Sequence, residues 1–347
     1  MKKYKKIILI IVIVIAICFL SFTFVSRVIY HRSNMATCAE IYLRIAGTKK
    51  KFQEGGYEKF IKTKYDDDSY EFPDVKLSNN LDSFILDGSI VYTLNHNHEY
   101  EKIIVYIHGG AYVNDITSNH LKLLDKIASN ENVMIYIPIY PLAPEHTYED
   151  SYELLTDLYQ VLLMEEKEII FMGDSAGGGL ALSFAEYTKE LELKSPDKLI
   201  LLSPWLDITM ENKDILDYEG KDPMLSSYGL KEMGKLWVGS LDTKDYKVSP
   251  IYGDVSNLQN VYLFVGTREI FYPDVNEFFK ILQENHITSK LYVGEGLNHV
   301  YPVYPIPEAN EAVKQICDIN FKVNPQLCWG QRKTYSFAQS NKNPTQT

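Results

Sequence analysis

The chain has 347 residues, of which 46% are hydrophobic and 23% charged, enough apolar material for a substantial core in one large domain or two modest ones. That composition excludes a disordered or collagen-like chain. A formal net charge of −11, with no extended basic surface evident in the sequence, argues against a nucleic-acid partner and for a small neutral or cationic one.

At the N-terminus "MKKYKK" runs into Ile7–Val25, a stretch free of charge and about long enough to cross a bilayer as one helix. Bulky Phe, Leu and Val stand where a cleavable signal would carry small residues, so the pattern favours an uncleaved anchor over a secreted, processed form. Lys2, Lys3, Lys5 and Lys6 precede the span and only Arg27 and Arg32 closely follow it, which predicts a single-pass cell-membrane protein with its N-terminus inside and its domain outside. The expected division is a membrane anchor over 1–32, a domain over 33–322 and a polar tail over 323–347. Cys18 lies in the span; Cys38, Cys317 and Cys328 match no zinc spacing, and both a Cys317–Cys328 bridge and free thiols stay open.

Beyond the span, Met35–Phe60 mixes apolar and charged residues at roughly helical spacing, and Lys62–Asp74 reads as a loop. Short β-rich runs then recur: "SIVYTL", "KIIVYI", "NVMIYIP", "EIIFMG", "KLILLS", "NVYLFVG" and "SKLYVG". Helical stretches separate several of them, among them "YEDSYELLTDLYQVLLMEE", "GGGLALSFAEYTKEL" and "PDVNEFFKILQEN". Apolar strands alternating with helices imply an α/β domain, a mostly parallel sheet with helices on both faces. The rhythm breaks between Ile208 and Leu258; that insertion, with about 33–80, is the expected cap over the ligand edge of the sheet.

"GDSAG", Gly173 to Gly177, fits G-x-S-x-G between a strand and a helix, the context that lifts a serine above a sheet edge. The strand "IIVYI" ends at His108 and gives way to Gly109 and Gly110. Adjacent glycines expose N–H groups that suit an oxyanion, so the expected donors are the amides of Gly109, Gly110 and Ala176, the residue after the serine. The base is expected at His299, just past the last strand; His286 lies at the wrong edge of the sheet, His108 shapes the glycine loop and His146 bonds locally. For the acid, Glu269 directly follows a strand and is preferred, with Asp274, which suits a helix start, as the alternative. Serine, then acid, then histidine is the order of α/β-hydrolases.

These residues resemble the hormone-sensitive lipase family of α/β-hydrolases, which includes many microbial carboxylesterases. The ordered matches are "HGGAYV", "YPLAPEHTYED", "GDSAGGGLAL", "LSPWLD", "DPMLS", "VSPIYGD", "VGTREIFYPD" and "NH". The resemblance implies an α/β-hydrolase fold with a cap, and ester hydrolysis through an acyl-enzyme without metal or cofactor. Two departures stand out: Pro141 replaces the family's common arginine, and Glu269-Ile270-Phe271 replaces its common Asp-Pro-Leu. Asp174, inside the elbow, is expected to serve geometry and not chemistry. Tyr112, Trp205, Leu206, Met224, Leu225 and Tyr301 are candidates for lining an acyl pocket. Short- to medium-chain acyl esters are the expected substrates. A deacetylase of carbohydrate or cell-envelope material, an amidase acting on a formamide, and a non-catalytic membrane-anchored binding protein are the alternatives.

Overall fold

A computed structural model describes residues 2–66, 70–95 and 100–321; Cys328 and the tail from 323 onward lie outside the described residues. Eight strands form one sheet: β1 (Asn80–Leu86), β2 (Ser89–Asn95), β3 (Lys102–Ile107), β4 (Val133–Pro138), β5 (Glu168–Asp174), β6 (Lys198–Leu202), β7 (Val261–Gly266) and β8 (Ser289–Gly294). Their order is β1-β2-β4-β3-β5-β6-β7-β8, parallel from β4 to β8, with β2 antiparallel to both its neighbours. The strand β1 is absent from the sequence reading because it is a mostly exposed edge strand with no apolar run to announce it. It turns into β2 through Asp87 and Gly88, both at positive φ, a geometry whose twist matches a hairpin.

Among the described residues the α-helices are α1 (Lys2–Phe24), α2 (Asn34–Ala46), α3 (Gly56–Asp66), α4 (Ser118–Asn130), α5 (Tyr148–Leu163), α6 (Ser175–Tyr187), α7 (Leu216–Glu219), α8 (Ser227–Trp237), α9 (Tyr272–Glu284) and α10 (Pro307–Phe321). Because strand side chains alternate faces, Ile103, Val105 and Ile107 of β3 enter one core with residues of α5, α6 and α9, while Ile104 and Tyr106 enter a second with residues of α4 and α10. Both faces of the sheet's centre are therefore dry, and the parallel strand ends meet at one edge, where polar side chains can converge.

The helix α3 runs through Asp66, so the first five residues of the expected loop are helical. Residues 33–66 touch the 208–258 insertion: Arg44 donates to the Lys221 carbonyl at 2.8 Å, Lys49 bonds the Glu219 carbonyl, and Tyr228 Oη meets Glu58 at 3.0 Å. Residues 70–79 differ from the cap expected there. Phe72 packs on Tyr92 of β2, and the Ser78 and Asn79 amides bond the Asp125 carboxylate of α4, so this stretch flanks the sheet.

Candidate active site

The strand β5 stops at Asp174, and Ser175 opens α6 with φ of 52°, a left-handed conformation that a non-glycine residue adopts only under the constraint of its surroundings. That turn requires close backbone approach on its far side: a Cβ on Gly177 would lie 2.1 Å from the Ile107 carbonyl oxygen, so no other residue fits. The Trp205 amide fixes the turn from a third side, donating to the Ser175 carbonyl at 2.9 Å.

His299 lies beyond β8, with Val300 at φ of 52° after it. Its Nε2 is 2.9 Å from Ser175 Oγ and its Nδ1 is 2.5 Å from Glu269 Oε2. The second Glu269 oxygen, Oε1, accepts from Ser203 Oγ at 2.8 Å and from the Gly266 amide at 2.5 Å. Ser203 Oγ in turn accepts from the Val300 amide at 3.0 Å, so one hydroxyl joins the loops that carry the acid and the base. All three central side chains are buried, Ser175 at 6%, His299 at 3% and Glu269 at 0% exposure. Burial works to lower the His299 pKa, but the Glu269 carboxylate on Nδ1 outweighs it and holds the imidazole above its ordinary 6.5. With Nδ1 donating to Glu269, Nε2 is free to accept the serine proton.

Asp274 is not part of this chain of contacts. It sits in the first turn of α9 with Oδ1 accepting from Asn212 Nδ2 at 2.7 Å, and burial pushes its carboxyl up to about 7. His286 is exposed in the turn after α9, and the His146 ring lies 3.4 Å from the Asp150 carboxylate. His108 is buried, stacked on Tyr140 at 4.5 Å, with Nδ1 donating to the Gly109 carbonyl at 2.9 Å.

The glycine loop departs from expectation in one respect. The Gly109 amide points away from Ser175 and donates to Asp174 Oδ1 at 2.8 Å. Gly110 then turns at φ of 140°, where only glycine is unstrained, and Ala111 and Tyr112 follow at 56° and 62°. The amides of Gly110 and Ala111 have no acceptor among the described residues. Ala176 lies in the first turn of α6, where an amide has no intrahelical partner. Asp174 anchors the loop: besides Gly109 it accepts from Tyr106 Oη at 2.6 Å and faces His120 Nε2 at 3.3 Å. Burial alone would raise its pKa, but His120, the tyrosine hydroxyl and the amide outweigh that and hold the carboxyl near 2. His120 Nδ1 accepts the Thr117 amide, so its Nε2 carries the hydrogen that Asp174 receives.

Of the expected pocket residues, Tyr112 and Trp205 are buried and stacked at 5.5 Å, with Trp237 against Tyr112 at 4.2 Å. Leu206 and Leu225 are buried in the same core, and Met224 is half-buried, its sulfur accepting from Tyr304 Oη at 2.7 Å. Tyr301 is separate: it packs in the core of the opposite face with Leu297 and Val300. Asp222, Ser203, Tyr106 and His120 were not singled out from sequence. Asp222 accepts from the Met224, Leu225 and Ile270 amides and so ties the 222–225 turn to the residue after Glu269. A cavity of about 700 Å³ lies beside the glycine loop, between residues 139–146 and the β1–β2 turn, but none of Ser175, Glu269 or His299 lines it. No cluster of side chains suited to a metal ion occurs among the described residues.

A sequence model of the alpha/beta hydrolase fold family matches residues 104–303. An esterase of Acinetobacter venetianus is 31% identical over 223 residues, spanning 62% of this chain and 74% of that protein. A solved structure of a candidate esterase from Staphylococcus aureus is 33% identical, with a TM-score of 0.75 over 78% of this chain and 95% of the other. A hormone-sensitive lipase from a metagenome library aligns with a TM-score of 0.71 at 25% identity, covering 82% of this chain and 96% of its own.

Proposed function

The chain belongs to the hormone-sensitive lipase family of α/β-hydrolases and is a carboxylesterase- or lipase-like hydrolase, and we propose that it works through Ser175 as nucleophile, His299 as base and Glu269 as the acid that orients and charges the base. The observation that carries this reading is the continuous run Ser175 Oγ, His299 Nε2, His299 Nδ1, Glu269 Oε2, with contacts of 2.9 and 2.5 Å.

In this reading His299 Nε2 takes the Ser175 proton as Oγ bonds the ester carbonyl carbon, and the carbonyl oxygen becomes an oxyanion. The amides of Gly110, Ala111 and Ala176 receive that charge, each contributing on the order of 3 kcal/mol to the transition state. The carbon–alkoxide bond then breaks, Nε2 returns the proton to the alcohol, and an acyl-serine remains. Water attacks it by the same steps in reverse, releasing the acid. Nothing in this cycle calls for a metal or cofactor.

The acyl group is assigned to the space bordered by Met224 and Leu225, which Asp222 holds next to the Glu269 loop. The stack of Tyr112, Trp205 and Trp237 is fully buried and tied to the serine through the Trp205 amide on the Ser175 carbonyl, a filled neighbourhood that favours short- to medium-chain acyl groups. Residues 33–66 and 208–258 form the cap. Lys3–Ile29 is long and apolar enough to cross a membrane, and its most apolar 18-residue window is not buried against the domain; with four lysines before the apolar run that starts at Ile7, we assign it as an anchor that leaves the domain outside. A fluorophosphonate probe should label the wild-type chain and leave Ser175→Ala unlabelled, and p-nitrophenyl esters of increasing acyl length should show turnover falling at long chains. Labelling of Ser175→Ala at the wild-type rate refutes the assignment of the nucleophile.

A further inference from the structure

The helix α2 is built inside out. Its charged residue Glu40 is buried and gripped by Arg32, Arg44 and Arg268, with Arg268 bidentate at 2.9 Å on both oxygens. Its solvent face is apolar: Met35 is 55% exposed, Tyr42 70% and Ile45 82%, with Cys38 and Ile41 also exposed. At about 100° per residue these side chains fall within an arc of about 120°. Arg44, the charged residue at the helix surface, is turned onto Glu40 at 2.8 Å. A helix that spends three arginines on burying its acid and leaves its hydrophobes outside is not built for water.

The connection to the spanning helix says what covers this face. Five residues of π-helix, Val25–Ile29, and a four-residue turn join α1 to α2, and the join is fixed: Asn34 Nδ2 bonds Thr23 Oγ1 at 2.9 Å, Arg32 donates to the Gly296 carbonyl at 2.9 Å, and Ser33 bonds Glu308 of α10. The exposed Val28 and Ile29 continue the apolar surface from α1 toward α2. Just past the C-terminal end of α2, Lys50 and Lys51 are exposed, placing cations where lipid headgroups would lie. Resting on the reading of α1 as an anchor, we infer that the outer face of α2 lies in the interfacial layer of a bilayer, so that the domain sits on the membrane and takes its ester substrates from the lipid surface. The same cluster, through Arg268 and Gly296, joins this helix to the loops that carry Glu269 and His299, so the orientation of the site to the membrane is fixed as well.

The test uses the full chain in phosphatidylcholine–phosphatidylglycerol vesicles. Cys38 carries an environment-sensitive NBD label in a Cys18→Ser, Cys317→Ser, Cys328→Ser background, and Ile85→Cys, at the far edge of the sheet, is the control in a chain that also has Cys38→Ser. Lipids with a nitroxide near the headgroup should quench the Cys38 label about two-fold or more and leave the Ile85→Cys label unchanged. In parallel, Tyr42→Glu with Ile45→Glu should hydrolyse p-nitrophenyl butyrate in detergent at the wild-type rate but lose about five-fold or more on vesicle-borne methylumbelliferyl octanoate. A Cys38 label that stays in water while the chain resists alkaline carbonate extraction overturns the inference and leaves the anchor. Extraction by carbonate overturns the anchor itself, and with it the inference. Disulfide cross-linking of Cys38 between two chains assigns the face to a second copy and overturns the lipid assignment.

Discussion

Glu269→Gln tests the chemistry most sharply, because the surroundings dictate how the amide must sit. Two donors, Ser203 Oγ and the Gly266 amide, converge on the Oε1 position and require an acceptor there. The glutamine oxygen therefore occupies that place, and its NH₂ group faces His299 Nδ1 where Oε2 stood, 2.5 Å from the ring in the wild type. An N–H donor opposite Nδ1 forces the ring hydrogen onto Nε2, which then presents a donor to Ser175 and cannot take its proton. The substitution also removes the negative charge that favours the imidazolium. Together these should lower kcat about 10³- to 10⁴-fold, or roughly 4 to 5.5 kcal/mol in the barrier. The assay is kcat and KM on p-nitrophenyl butyrate alongside thermal unfolding by circular dichroism, with KM and Tm expected to change little. A Glu269→Gln enzyme within about ten-fold of wild type, correctly folded, would mean that the acid lies elsewhere or that the tautomer argument is wrong.

Asp274→Asn should keep full activity, since Asp274 meets Asn212 and not His299. Its carboxyl titrates near 7 when folded and near 3.8 when unfolded, so its contribution to stability falls as pH rises between those values and stays lost above them. Removing the charge should raise urea stability at pH 8 by up to about 4 kcal/mol and leave it nearly unchanged at pH 4. Wild-type kcat/KM should decline as pH drops through a midpoint above 6.5, because only neutral His299 accepts the serine proton, and Glu269→Gln should move that midpoint down; an unmoved midpoint would assign the limb to another group. Asp174→Asn should cost about 1 to 3 kcal/mol of stability and slow turnover, since an amide cannot serve the Gly109 amide, the Tyr106 hydroxyl and the His120 donor together; an unchanged Tm and rate would show that the loop holds without it.

What could be read without coordinates was what chain order and residue type encode. Strand-like runs between helical ones imply the parallel sheet, and the glycine spacing around Ser175 leaves room for a close strand and helix. Glu269 and His299 each follow a strand directly, and strand ends in such a sheet share one edge. What escaped was held by contacts distant in sequence. Ser203 is an ordinary strand-end serine until β6 is placed between β5 and β7, and then its hydroxyl stands between the Glu269 carboxylate and the Val300 amide. Tyr301, two residues past the histidine, looked like a pocket residue, but the left-handed turn at Val300 sends it to the other core.

The glycine loop shows the same limit more finely. Residue type says that bare backbone is needed after His108 but not which amide faces which acceptor. That choice is made by Asp174, one residue before the serine on the neighbouring strand β5, whose carboxylate takes the Gly109 amide. Consuming the first amide moves the free pair one residue along, to Gly110 and Ala111. Ala111 can serve because an amide needs a free N–H and not a missing side chain; its φ of 56° is the strain that the Tyr106, His120 and Asp174 contacts hold in place. In the proposed mechanism, the buried acid beside the serine thus acts through the loop's geometry, by deciding which two of its amides are left without a partner.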